Sequence, residues 1–207
     1  MVNGVEWHPA MSVYKRTNEA YDYLCRGDAE AALTPLLNAV EAMSGGGKSR
    51  YKQWLAEKMP IISNCLLDCG PSARVLKLPV ASDNKHIAAP DEHGSVALEE
   101  IIYHLMRCGL DHRCEIDPGV KDNDTSSIRW DKDVLHLHFG KLATGILLAL
   151  ISDISPAEAE QVKGVVNGYS LQNFCGVSVR NVVTMARVLA EGGPRRRTRS
   201  TSARGGI

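Results

Sequence analysis

Residues Gly140 to Asp153 (GKLATGILLALISD) set the tightest limit on what this chain can fold into. Read as a helix, the stretch is apolar on nearly every side, and such a helix has to be buried among other elements. Its longest greasy run, around Ile146 to Ile151, is far short of the roughly 20 residues that a bilayer span needs. The sequence therefore predicts a globular domain wrapped around this helix, with no membrane partner. At 207 residues the chain is long enough for that, since a domain of this size buries about 70% of the surface that its unfolded form exposes.

The elements that would wrap it are mostly helical. Asn18 to Leu24 reads as a short polar helix, and Gly27-Asp28 as a break that caps the next one. From Asp28 onward Ala32, Leu36, Ala39, Val40 and Met43 fall at three- and four-residue spacing, a helix with one buried stripe. Pro35 within it would cost about 3 kcal/mol or a kink. Ser44-Gly45-Gly46-Gly47 closes that helix, and Tyr51 to Met59 predicts another, stopped by Pro60. Pro60 to Leu78 is open between a helical turn and extended chain, and Val80 to Gly94 is polar enough for a surface loop.

Ser95 then caps a motif helix over residues 95–111, with Leu98, Ile101, Ile102, Leu105 and Cys108 or Gly109 on its apolar face and Gly109 beginning its end. Residues 117–127 are turn chemistry throughout. Alternation on either side of Asp131-Lys132-Asp133 predicts a β-hairpin with a three-residue loop over 127–139. Ser155-Pro156-Ala157-Glu158 is a capping box with proline at the first helical position, and a last helix is expected over about Val179 to Glu191. The predicted fold class is mainly α, a helical bundle with a small β-hairpin after the motif helix. One domain covers 1–192, and 193–207 is a disordered basic tail.

The 24 basic and 24 acidic residues cancel, so no global field directs the chain toward nucleic acid or membrane. The cancellation is uneven. From Gly193 onward five arginines stand without an acid (Arg195, Arg196, Arg197, Arg199 and Arg204), leaving 19 basic and 24 acidic residues in the body. By charge the tail is an arm for phosphates, with Arg195, Arg196 and Arg197 as binding candidates. By composition it is a solvated terminus, and its lack of aromatic residues favours that second view. The amino-terminal MVNGVEWHPAMSVYKR lacks the basic start and apolar block of a secretory signal. The six cysteines are therefore expected as thiols or ligands in a reducing, cytoplasmic setting.

Two familiar chemistries fit poorly. Gly45-Gly46-Gly47-Lys48-Ser49 has the tail of a phosphate-binding loop, yet Ala42 stands where the signature needs its first glycine, and a helix precedes it instead of a strand. Cys65 with Cys69, His136 with His138, and Cys108, His112 and Cys114 have none of the spacings of a zinc site. Packed thiols and surface histidines account for them better, and neither a metal nor an organic cofactor is expected.

The most informative string is IYHLMRCGLDH, Ile102 to His112. Arg107 and His112, with four residues between them near a helix end, resemble the motif of the HEPN family, an arginine followed after four to six residues by a histidine. The resemblance covers chiefly 95–115. It implies a metal-independent ribonuclease, or an RNA- or nucleotide-binding protein, in microbial defence or a toxin–antitoxin pair with a cognate protein inhibitor. In that reading His112 moves protons near neutral pH and Arg107 is a fixed cation on the phosphate, with His104, Cys108 and Asp111 as neighbouring binding candidates.

Geometry adds a condition. Five residues at 100° each set Arg107 and His112 about 140° apart on an ideal helix. Either the helix unwinds at Gly109 or a second copy completes the site, and the family's habit of dimerising implies a homodimer. Active members usually carry a polar residue directly after the arginine, where this chain has Cys108, a poor hydrogen-bonding group. Weak catalysis or binding alone would follow. The plain structural account is an exposed Arg107–Asp111 helical ion pair with His112 as a helix-end residue. The alternative function is a non-catalytic protein-interaction module, a subunit of a larger complex.

Overall fold

The computed structural model describes residues 9–67, 74–80, 87, 90–91, 93–113, 115–123, 128–132 and 134–191. The chain is mainly helical, with small sheets of short strands, as the hydrophobic pattern predicts. Helices α1 (Pro9–Cys25), α2 (Ala29–Ser44) and α3 (Lys48–Leu66) follow one another. Helix α4 occupies 98–113, α5 is Phe139–Asp153 and α6 is Val179–Glu191. Short 3₁₀ turns cover Pro156–Gln161 and Leu171–Phe174. The basic tail, Cys69, Cys114 and Trp7 lie outside the described residues.

Helix α5 is the centre. Phe139, Leu142, Ala143 and every residue from Gly145 to Ser152 are buried, and α3, α2, α1 and α6 all pack on it. Where it crosses α3, Gly145 leaves no room: a Cβ there would stand 3.0 Å from Ile62 Cα and 3.2 Å from Cys65 Cβ. Polar contacts fix its two ends. At the start, Asp122 Oδ1 accepts from the Phe139 N–H at 2.8 Å, and His138 Nδ1 from Lys141 N–H at 3.4 Å. At the finish, Asp153 ion-pairs with the buried Lys58 and accepts from Trp54 Nε1 at 2.8 Å.

Proline does not stop α3. The segment beyond Pro60 buries Ile61, Ile62 and Leu66 completely, worth about 1.5–3 kcal/mol each. That exceeds the roughly 3 kcal/mol cost of a helical proline. The carbonyl that Pro60 leaves unbonded belongs to Ala56, an exposed residue, where water can satisfy it. Pro35 is likewise inside a continuous α2, which begins on Asp28 Oδ1 accepting from Ala31 N–H at 3.1 Å and ends on left-handed Gly45. Helix α1 is longer than the expected 18–24.

Ser95 is not a helix cap. Strand β2 (Ser95–Ala97) pairs antiparallel with β1 (Lys77–Pro79), and the Ser95 N–H donates to Asp91 Oδ1 at 2.9 Å. Burial of Val96 and Leu78 across that ladder outweighs the capping preference. The motif helix thus starts at Leu98 and runs past Gly109, which is buried in it, to Arg113.

After α4 comes a three-stranded sheet in the order β3 (Val120–Asp122), β5 (Val134–Leu137), β4 (Ile128–Asp131). The expected hairpin is β4–β5. Asp131 pairs with Val134, so its loop has two residues, not three, with Lys132 left-handed at φ 54°. Strand β3, parallel to β5, falls in the stretch read as turns; its single buried side chain, Val120, is too short a signal for periodicity to register.

A last hairpin, β6 (Val165–Val166) with β7 (Tyr169–Ser170), turns on Asn167-Gly168. It is tied to α1: Tyr21 Oη donates to Val165 O and accepts from Val165 N–H at 3.1 and 3.0 Å. Asn18 bonds Gln161 O and Lys163 N–H at 2.9 Å each.

Gly145→Ala should destabilise the fold by about 1–3 kcal/mol through overpacking, read as a lower urea midpoint at unchanged slope. An unchanged midpoint would mean that α3 and α5 do not meet closely there.

Candidate functional site

Helix α4 is irregular just before the motif and up to its arginine. Leu98–Glu100 and Cys108–Arg113 are α-helical, but Ile101–Arg107 is a π-helix, in which the Cys108 N–H reaches back five residues to Tyr103 O. Such wide turns are rare and collect at functional sites. The π segment buries Ile101, Ile102, His104, Leu105 and Met106.

Arg107 is the hub of the site. Its Nη2 lies 2.5 Å from Glu41 Oε2 of α2 and 3.1 Å from Asp111 Oδ2 one turn on. Its guanidinium carbon sits 5.9 Å from the ring centroid of Tyr51 on α3 and 5.6 Å from that of Tyr103. The two rings meet edge to face at 5.1 Å. The Arg107 side chain is only 14% exposed, while that of Glu41 is 40% exposed. Burial alone would ease the proton off Arg107, but the Glu41 hydrogen bond and the Asp111 and Glu41 charges reverse that and hold it charged more firmly than usual. The Arg107–Asp111 pair of the plain structural account therefore exists, though half hidden and shared with Glu41.

Beside it, His104 Nε2 faces Glu100 Oε2 at 3.3 Å, and Glu100 also pairs with Lys52 of α3. The hydroxyl of Tyr51 is buried with no hydrogen-bond partner. Burial pushes its proton affinity well above the ordinary phenol value, only partly opposed by Arg107.

Of the residues expected here, Arg107, Asp111, His104 and half-buried Cys108 share this cluster. His112 does not join it. It is exposed on the last turn of α4, while Arg107 turns inward to Glu41. Arg195, Arg196 and Arg197 lie outside the described residues. Glu41, Tyr51, Lys52 and Glu100 come into the site without a sequence signal, because the first three lie on other helices. His136 is in β5, and His138 caps α5. The triple glycine, with all three φ angles between 76° and 81°, links α2 to α3. Among the described residues no three His, Cys, Asp or Glu side chains gather to hold a metal, and no helix is long and apolar enough to cross a membrane.

No protein-family model, curated protein or solved structure matches the chain.

A buried hydroxyl without a partner costs about 1–3 kcal/mol. Tyr51→Phe should therefore keep or raise the thermal midpoint, by a few degrees at this size. A midpoint several degrees lower would place a hydrogen bond on that hydroxyl in the folded protein.

Proposed function

We propose that the chain is an RNA- or nucleotide-binding protein of HEPN-like character, acting in the fuller form of the reading as a metal-independent ribonuclease. The observation that carries the proposal is the π-helical run Ile101–Arg107, which ends on the motif arginine. The exposed imidazole of His112, one turn further on, adds to it.

The reaction would proceed by attack of a ribose 2′-hydroxyl on the adjacent phosphorus and cleavage of the P–O5′ bond. One imidazole takes the 2′ proton and another returns a proton to the leaving 5′ oxygen. A guanidinium holds the charge that grows on the non-bridging oxygens. One copy of the chain supplies a single exposed motif histidine, and because α4 continues through Gly109 its Arg107 and His112 diverge. Two copies facing each other answer both needs, so a homodimer belongs to the proposal. In it Glu41, the more exposed partner of Arg107, would give way to phosphate. A cytoplasmic role in defence or a toxin–antitoxin pair, with a cognate protein inhibitor, goes with the family resemblance.

A specific observation favours the second reading, a non-catalytic interaction module. The guanidinium is already neutralised by two carboxylates, and Cys108 follows it.

The test is cleavage of a structured RNA in excess chelator by wild type, Arg107→Ala and His112→Ala, each folded by circular dichroism. The expected loss is about 10²–10⁴-fold for His112→Ala, with a comparable loss for Arg107→Ala. Mixing the two variants should restore part of the activity if the site is shared between copies. Cleavage that persists in both variants would remove these residues from the chemistry, and a wild type that cuts nothing would favour the interaction module.

A further inference from the structure

Strand register places Lys121, His136 and Arg129 side by side across the three-stranded sheet: Lys121 is opposite His136, and His136 opposite Arg129. All three point away from the face that buries Val120, Leu135 and Leu137. Lys121 and Arg129 are exposed, and Lys132 is exposed in the adjoining turn. The outward positions of the three strands carry one acid, Asp131, a row away beside Val134.

Elsewhere Lys52, Lys58, Lys77 and Arg107 each have a carboxylate. Among the described residues, neither Lys121, Arg129 nor His136 has a side-chain hydrogen bond or ion pair. Two exposed cations flanking an imidazole, with no carboxylate of the described residues in the same row, suit an external anion. At strand spacing the row extends about 10 Å, from the first strand to the third, and so meets a linear polyanion lying across the strands.

We propose that this outer face of β3–β5–β4 binds the phosphate backbone of single-stranded RNA, Lys121 and Arg129 each taking a phosphate with His136 between them. The identity of the polyanion rests on the RNA reading above, whereas its location rests on the sheet alone. The face is fastened to the motif helix, since Asp117 N–H donates to Leu105 O at 2.8 Å just before β3. The exposed aromatic of β4, Trp130, has the opposite parity and gives its ring N–H to Pro79 O, so the proposed contact is with backbone and not with stacked bases.

The experiment is fluorescence anisotropy of a labelled mixed-sequence RNA of roughly 20 nucleotides, titrated between about 50 and 200 mM salt in chelator. It compares wild type, Lys121→Ala/Arg129→Ala, Lys121→Arg and Arg107→Ala. The double variant should bind at least about tenfold more weakly, and its log–log salt slope should fall by about 1.4, or 0.7 per lost phosphate contact on a single strand. Its thermal midpoint should not fall, which separates lost contact from lost fold. Lys121→Arg should keep the affinity. Binding that is unchanged in the double variant overturns this inference and leaves the Arg107–His112 reading standing. Wild type that binds anionic phosphatidylglycerol vesicles but no RNA overturns it together with the RNA reading. Arg107→Ala should weaken binding less than the double variant does; a larger loss in Arg107→Ala with the double variant unchanged would place the RNA at the motif and not on the sheet.

Discussion

A helix that is apolar on nearly every side is the constraint from which the rest of this structure follows. Helix α5 takes its energy from apolar burial, which has no direction, and its direction from polar groups at the two ends. Asp122 and His138 hold the start, and Lys58 and Trp54 hold Asp153 at the finish. An apolar cylinder could slide or rotate among its neighbours at little cost, whereas a buried charge left without its partner is strongly destabilising. Gly145 contributes differently, by letting the α3 backbone come close enough to close the gap between two helices. The sheet is fixed as a result, because β5 runs directly into α5.

Helix α4 is where local and global preferences disagree. Its apolar residues have to meet the core while Arg107 meets Glu41 on a helix 66 positions earlier in the chain. A regular α-turn gives way to a π-turn between Ile101 and Arg107. Such a wide turn is kept where its surroundings favour it. Here the surroundings are two carboxylates, two aromatic rings and a buried apolar face. The same cluster can be viewed as a rigid clasp or as a cation held ready by displaceable anions, and the greater exposure of Glu41 suits the latter.

The fold was legible wherever side chains repeat at a period. Helices α2, α5 and α6 and the hairpin follow from spacing and capping residues, whereas Ser155, read as opening a helix through a capping box, caps only a short 3₁₀ turn through the Ala157 N–H. Boundaries failed where a distant partner decided them. Pro60 reads as a stop until the burial of Ile61 and Ile62 is known, and Ser95 as a cap until Asp91 takes its N–H. Strand β3 has three residues and one buried side chain, so pattern alone could not separate it from turns. At the site the linear string pointed to Arg107 and His112. Glu41 and Tyr51 were invisible because charge pairing between helices has no period. The basic row on the sheet was hidden for a similar reason, since its three members come from three strands and become neighbours only through register.

The ties between α1 and the segment from Gln161 to Val165 bear on the order in which the chain can become native. Asn18 and Tyr21 wait for partners 143 to 145 residues downstream. At a synthesis rate of about 5–20 residues per second, their outer faces stay uncovered for on the order of ten seconds or more while the ribosome works. Closing so distant a contact is entropically slow compared with forming the helices themselves. Helix α1 packs first on its neighbour α2, and the segment from Gln161 to Val165 closes over its outer face afterwards as a latch.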